Sequence, residues 1–240
     1  MLIFLAIARA EPIPLDTTQL ILGWSSGWDD SSATLQRYTR VEGSWVAQGT
    51  PIPTRIGRSG LAWGVGLHDP QPGLQKKEGD WRAPAGIFSI GTAFGDALLS
   101  PAPVWPMSVV TERTLWVEDP ESALYNQHLV ILEGRPLTDW EEKQRMRFGD
   151  DAHRLKLVIA HNMDPPRTGA GSAIFFHIWR RDGTAPTAGC TAMPADSMEA
   201  VIRWLQPDAT PVFVLLPVEM VAQLQADWGL PALPTDTLVK

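Results

Sequence analysis

The chain has 240 residues, 44% of them hydrophobic and 20% charged, which is the composition of a folded globular protein rather than of a disordered one. Its formal net charge of -7 at pH 7 argues against nucleic acid as a partner, because proteins that bind nucleic acid present a basic face. The single cysteine excludes an internal disulfide.

The first ten residues predict the remnant of an export signal. An apolar run ends in Ala-Arg-Ala at residues 8–10, which has the small-x-small form of a signal-peptidase site. The run is short and has no basic flank, so we expect the true start upstream and cleavage before Glu11; a short hydrophobic strand is the alternative. Residues 1–10 are then the signal, and residues 11–240 form one exported domain in the periplasm or cell wall. The mature chain contains no stretch of the roughly 20 apolar residues that a membrane span needs.

Strands dominate the first third of the chain. Residues 19–24 and 33–41 are rich in strand formers, and residues 42–44 predict a hairpin turn after the second strand. Residues 57–73 contain five glycines, which predicts a loop or a loose strand. His68 within it either borders a cleft or lies in solvent.

The middle of the chain combines short strands with one helix. Alternating apolar residues predict a strand at residues 87–90, and further short strands are expected at residues 115–117 and 129–132. Residues 139–148 predict a helix with Asp139 as its N-cap residue, because a glutamate follows three positions later.

An antiparallel pair of strands is predicted before the loop that carries the cysteine. Residues 155–160 form an apolar strand that ends at His161, and the following loop contains two prolines and two glycines. We therefore pair this strand with residues 173–179. In that pairing His161 lies about four residues along the strand from His177, at the rim of a site at best.

A thiol and a possible base lie close together in the sequence. His177 is near the end of an apolar aromatic strand, and twelve residues, about half of them turn formers, separate it from Cys190. A neighbouring imidazole can activate a thiol whose ordinary pKa is about 8.5. Gly189 leaves room for an approaching carbonyl, and the amides beside the thiol can hold an oxyanion.

Two other interpretations of Cys190 remain open at this point. Free cysteine is among the most buried residue types, so a small core residue is the simplest alternative. A zinc site made of Cys190, His177 and His161 lacks the usual spacing of zinc ligands. On the loop between thiol and imidazole, Arg180 and Arg181 either bind substrate carboxylates or are solvated loop charges.

The C-terminal part predicts two helices around one buried strand. A helix begins at Pro194 with an apolar face at helical spacing, residues 212–216 form a strand, and residues 218–228 form a second helix. The chain as a whole is predicted to be mainly β, with a few peripheral helices.

The residues around the thiol resemble the active-site signature of the L,D-transpeptidase catalytic domain family, also called YkuD. Thr187, Gly189 and Cys190 match the pattern Ser/Thr-His-Gly-Cys, and Ala188 replaces the histidine, as in a subgroup with Pro-Thr-Ala-Gly-Cys. The Pro-x-Gly-x-Phe sequence at residues 84–88 resembles a second hallmark of the family, about a hundred residues ahead of the cysteine.

The resemblance implies a catalytic β-sandwich and an L,D-transpeptidase that acts on peptidoglycan stem peptides. Cys190 would form a thioester and release D-alanine, with His177 as base and then acid. Hydrolysis of the same bond by an L,D-carboxypeptidase, or a non-catalytic wall-binding module on the same fold, are the alternatives. We expect no cofactor, no metal and a monomer. Further site residues are expected as backbone or oxyanion groups (Gly189, Thr191, Ile178) and as substrate-binding groups (Arg180, Arg181, Thr187, His161, Asn162).

Overall fold

A computed structural model describes residues 12–234, so the predicted signal at residues 1–10 lies outside the described part. Strands predominate in that part, and the few helices are short. The strands are β1 (Gln19–Ser25), β2 (Ser32–Val41), β3 (Ser44–Arg55), β4 (Leu61–Trp63), β5 (Ala83–Gly95), β6 (Met107–Val109), β7 (Thr114–Trp116), β8 (His128–Val130), β9 (Leu155–Ile159), β10 (Phe175–Ile178), β11 (Thr191–Met193) and β12 (Val212–Pro217). The α-helices are α1 (Asp139–Lys143), α2 (Ala195–Trp204) and α3 (Val218–Leu224).

Eight strands form a closed ring in the order β12-β1-β2-β3-β11-β10-β9-β5. The long strand β5 closes the ring because its first half pairs with β12 and its second half pairs with β9, the latter across a register irregularity between Ile90 and Ala93. Closure pairs both edges of each ring strand, which removes the open edges that would invite aggregation. The predicted mainly β fold with peripheral helices is confirmed.

Glycine is needed in the first half of β5, where the Pro-x-Gly-x-Phe sequence lies. Gly86 has φ +138°, and a Cβ atom built there would lie 1.8 Å from Nε2 of His68. The imidazole of His68 is buried and packs edge-on to Phe88. A side chain at position 86 would therefore displace this histidine from the wall of the ring.

The two faces of β10 belong to different hydrophobic clusters. Phe176 and Ile178 point into the main core inside the ring, whereas Phe175 belongs to a second, smaller cluster on the outer face. Because side chains alternate along a strand, His177 lies on the same outer face as Phe175. Cys190 packs against the second cluster, so both proposed catalytic side chains lie outside the ring.

The segment between β5 and β9 covers this outer face. It contains the two-stranded sheet of β7 and β8 and the short helix α1. Trp116 and Met146 from this segment pack in the second cluster beside Val158 of β9. The segment thus supplies one wall of a site whose other wall is the ring.

The helix predicted at residues 139–148 is wrong in its length and its cap. Helix α1 ends at Lys143, and its N-cap residue is Thr138, which forms a capping box with Glu141. The helix ends there because the next residues hydrogen-bond to the backbone of β7. The Trp116 amide donates to the Gln144 carbonyl at 2.9 Å. Similarly, α3 ends at Leu224 rather than at residue 228.

Other predicted elements are confirmed. The two-residue turn between β2 and β3 has positive φ at Glu42 and Gly43, as a tight hairpin requires. Strands β9 and β10 are antiparallel, with Val158 opposite Phe175. Among the described residues, no helix combines the length and apolar character needed to cross a membrane.

Candidate active site

Two adjacent strands bring His177 and Cys190 to the same face of the ring wall. Strands β10 and β11 are parallel, and His177 stands opposite Ala192. Extending that register by two residues puts Cys190 opposite Phe175. The imidazole and the thiol are therefore one side-chain repeat apart on neighbouring strands, close enough for the two side chains to meet.

A compact turn presents the thiol. The Thr187 hydroxyl donates to the Cys190 carbonyl at 2.6 Å and accepts from the Gly189 amide at 3.1 Å. Gly189 has φ +151°, and a Cβ atom there would lie 3.0 Å from the Arg82 carbonyl oxygen, so the turn requires glycine.

This turn also decides two of the expected oxyanion groups. The Gly189 amide is already donated to Thr187, so it serves the turn rather than an oxyanion. The Thr191 side chain is fully buried, and its hydroxyl lacks a hydrogen-bond partner among the described residues. Thr191 lies on the face opposite Cys190, towards the ring interior, because the two residues are consecutive. The backbone amides of Cys190 and Thr191 are the remaining candidates for an oxyanion donor next to the thiol.

The thiol is protonated in the resting structure. Its Sγ donates to the Ala173 carbonyl at 3.5 Å. Burial raises the pKa of Cys190 to about 11, in spite of a hydrogen bond from the Phe175 amide that opposes the shift. A thiolate is therefore formed only when a base removes the proton.

His177 is held in the tautomer that such a base needs. Its Nδ1 donates to the Ile178 carbonyl at 2.8 Å, which leaves the lone pair on Nε2. Burial lowers the pKa of His177 to about 4, so the ring is neutral at pH 7. Among the described residues no hydrogen bond joins His177 to Cys190. Rotation of the Cys190 side chain away from Ala173 is needed for contact, and such bonds often tighten only when substrate binds.

A second histidine covers the first. The His153 ring stacks on the His177 ring at a centroid distance of 4.9 Å, and the Phe148 ring packs against His153 at 4.5 Å with a tilt of 43°. His153 Nδ1 lies 2.7 Å from an Asp150 oxygen, and Arg180 donates to the other Asp150 oxygen at 2.6 Å. Arg180 therefore supports this stack through Asp150.

Cys190 opens into a cavity of about 300 Å³ between the ring wall and the covering segment. Aromatic side chains form much of its lining, and several charged groups border it. Those used below are Lys76, Glu118, Arg145, Phe148, His153 and Lys156. The size and the mixture of apolar walls with a few polar groups suit the end of a peptide.

The structure does not bring Arg181, His161 or Asn162 to this cavity. Arg181 is exposed and borders a different cavity, lined also by Asp150 and Trp179. His161 is buried, with Nδ1 accepting from the Val65 amide and Nε2 donating to the Ala170 carbonyl. The Asn162 amide group bonds to the backbone of its own loop, including the Gly171 carbonyl at 2.9 Å. We therefore assign His161 and Asn162 to the support of this loop.

Two residues at the site were not anticipated. His153 ends a short 3-10 helix, Asp151–His153, and reaches His177 only through the tertiary structure. The sequence did contain a signal for Lys156, because this lysine interrupts the apolar run of β9. Lysine is rarely buried in a strand unless it is paired or has a function. Among residues 12–234 no group of three His, Cys, Asp or Glu side chains is arranged to hold a metal ion.

The model of one protein family matches this chain: the L,D-transpeptidase catalytic domain, YkuD, over residues 31–214. The chain belongs to the L,D-transpeptidase catalytic domain family. The matched part runs from the start of β2 into β12 and contains both His177 and Cys190. Family membership supports an L,D-transpeptidase type of function with peptidoglycan as the substrate class. No curated protein and no solved structure matches the chain.

Proposed function

We propose that the protein is a cysteine-dependent L,D-transpeptidase that acts on peptidoglycan stem peptides through a thioester. The observation that carries the proposal is the position of Cys190. Its thiol opens into a peptide-sized cavity, and His177, with its Nδ1 proton fixed by the Ile178 carbonyl, lies on the same face of the adjacent strand. A core cysteine would need neither the cavity nor the oriented imidazole.

The proposed reaction has two halves. In the first, Nε2 of His177 takes the thiol proton while Sγ of Cys190 attacks the carbonyl that precedes the terminal D-alanine. The Cys190 amide stabilises the oxyanion, and protonated His177 then gives its proton to the leaving amine. In the second half, an acceptor amine attacks the thioester, His177 takes the proton of that amine, and the thiol is released with its proton restored.

Proton transfer and attack must be coupled in this mechanism. The pKa of about 11 for Cys190 and of about 4 for His177 differ by about seven units. Transfer of the proton from the thiol to the imidazole is therefore unfavourable in the empty site, because both resulting ions would be buried. Substrate therefore has to lower this cost by displacing the thiol from Ala173 and receiving the electrons of the sulfur as they develop.

The test is incubation of the protein with purified muropeptides, followed by mass spectrometry. We expect the native protein to release D-alanine and form cross-linked products, and Cys190→Ala to form none while it melts at the native temperature. Cys190→Ser is the matched control, because its hydroxyl keeps a donor for Ala173 but is a poor nucleophile here. Turnover by Cys190→Ala would disprove the thioester. Trimmed but uncrosslinked peptides would indicate a carboxypeptidase, and no product from folded native protein would indicate a binding module.

We further propose that the protein is exported and processed before Glu11. Peptidoglycan lies outside the cytoplasm, and residues 8–10 have the form of a signal-peptidase site. N-terminal sequencing of protein recovered from the cell envelope should therefore begin at Glu11. Recovery of the first ten residues on envelope protein would contradict cleavage at this site.

A further inference from the structure

Lys156 is a buried cation that the proposed mechanism does not use. It lies in β9 directly opposite His177, and only 2% of it is exposed. Its Nζ donates to the Met146 carbonyl and lies 5.1 Å from the centre of the Phe148 ring. An ammonium group has three protons to donate, and Met146 takes one.

The other cations that border the cavity already have anionic partners. Lys76 pairs with Asp80 at 2.6 Å. Arg145 pairs with Glu112 at 2.9 Å and with Glu142 at 2.5 Å. Lys156 lines the same cavity but has no carboxylate within ion-pair distance among residues 12–234. Asp96, Asp150 and Glu118 lie near enough to raise its pKa, but burial outweighs them.

An unpaired charge inside a protein is costly, and this one is retained. The effective cost of burying an ion is several kcal/mol unless an opposite charge compensates it. Burial lowers the pKa of Lys156 to about 8, so the group is still charged at pH 7. A methionine would fill the same volume and keep the packing against Phe148 without that cost. The charge is therefore better explained by an anion that enters the cavity than by packing.

We propose that Lys156 binds a carboxylate of the acyl-donor peptide and so seats its scissile carbonyl beside Cys190. The inference rests on the proposed function and replaces Arg180 and Arg181 in that role. Arg180 is engaged with Asp150, and Arg181 borders another cavity. Glu118 also lines the cavity and favours the charged form of Lys156, but it does not pair with it. The carboxylate is either the C-terminal one of the leaving residue or one on a side chain.

The first test needs no transpeptidase activity, because the chain has only one cysteine. The rate of alkylation of Cys190 is measured at pH 7 with iodoacetate, which carries a carboxylate, and with neutral iodoacetamide. We expect the ratio of the two rates to fall about tenfold in Lys156→Met, as for the loss of one partly screened charge. Lys156→Arg should keep most of the ratio, and Arg181→Met, on the exposed loop, should leave it unchanged.

Folding is checked in each variant by its melting temperature, and replacement of a buried charge by methionine should be tolerated. An unchanged ratio in folded Lys156→Met would overturn the proposal. An equal fall in Arg181→Met would also overturn it, because the effect would then be one of general charge.

The second test identifies the source of the carboxylate. Stem tetrapeptides with a free or amidated C-terminus, and with free or amidated side-chain carboxylates, are bound to Cys190→Ala and measured by calorimetry. One amidation should weaken binding to Cys190→Ala about tenfold but leave binding to the Cys190→Ala/Lys156→Met double variant unchanged. The carboxylate removed by that amidation is the one that Lys156 binds. If no amidation shows this dependence, Lys156 does not bind substrate. If the protein does not process muropeptides but still shows the Lys156-dependent ratio of alkylation rates, the proposed transpeptidase function is wrong and the anion site at Lys156 stands.

Discussion

The protons of the resting site are distributed by burial. Cys190 keeps its proton because a buried thiolate would lose its hydration, and His177 stays neutral because a buried imidazolium would lose its own. The two shifts favour the same uncharged state. Such a thiol is alkylated or oxidised slowly in the empty site, and it becomes a strong nucleophile when a bound substrate promotes transfer of its proton to His177.

We expect the pH profile of kcat/KM to report this arrangement. The rate should fall in acid as His177 is protonated near pH 4, with His153 contributing because burial lowers its pKa from 6.5. On the alkaline side the rate should fall above about pH 8 as Lys156 loses its charge, before the thiol titrates near 11.

The charged groups that face these residues come from several elements. They are Asp150 and Arg180 beside His177, Glu118 and Lys76 beside Cys190, and Asp96, Asp150 and Glu118 beside Lys156. Steady-state rates from pH 4 to 10 are the measurement. In Lys156→Met, kcat/KM should be lower than in the native protein and should not fall further above pH 8. A fall above pH 8 equal to that of the native protein would contradict the assignment of this pKa to Lys156.

At the scale of the elements, Asn126 joins the covering segment to the ring. Its side-chain oxygen accepts from Trp116 Nε1 at 2.9 Å and from the Ala173 amide at 3.0 Å. Its amide group donates to the carbonyls of His161 and Asn162. Ala173 has φ +54°, a conformation that costs an L-residue about 1–2 kcal/mol. Asn126 thus stabilises the turn whose carbonyl holds the thiol.

Asn126→Ala should therefore lower the stability of the protein and loosen the turn that holds the Cys190 thiol. We expect a loss of about 3 kcal/mol in the free energy of unfolding, because several buried polar groups lose their partner together. Release of Ala173 should also speed the reaction of Cys190 with iodoacetamide. Denaturant unfolding and alkylation rates are the measurements, and Gln127→Ala is the neighbouring control. Equal stability of the two variants would show that water replaces the Asn126 side chain.

Prediction from sequence was accurate where the information is local. The hairpin at Glu42 and Gly43, the apolar strand β9 and the turn before Cys190 all have short-range signals. The helix predicted at residues 139–148 is too long because local periodicity carries no information about β7. In the folded chain the residues from Gln144 onward hydrogen-bond to β7 instead of continuing the helix. The partners of Asn126 and Lys156 lie on segments that only the folded chain brings together.

At the scale of the molecule, two buried histidines make stability depend on pH. His161 and His177 both have a pKa of about 4 in the folded protein, lowered mainly by burial, against about 6.5 when unfolded. The unfolded chain binds more protons between these values, so stability is complete above about pH 6.5 and falls as the pH falls through that window. Each histidine should cost about 2 kcal/mol at pH 5 relative to pH 8.

Melting temperatures at pH 5 and pH 8 check this expectation. His161→Gln should be less stable at pH 8, but its melting temperature should change less with pH than that of the native protein. A native melting temperature that is equal at both pH values would mean that neither histidine is protonated on unfolding in this range.

The ring described above also sets an order of events during synthesis. Strand β1 pairs in parallel with β12, so Leu20 pairs with Val212, which lies near the other end of the sequence. Strand β5 pairs with β12 as well. Neither contact can form until the C-terminal strand has left the ribosome, and such distant pairings are intrinsically slow to form. The ring therefore stays open until the last strand has been made, and an export channel that receives the chain before that point meets no closed ring that it must unfold.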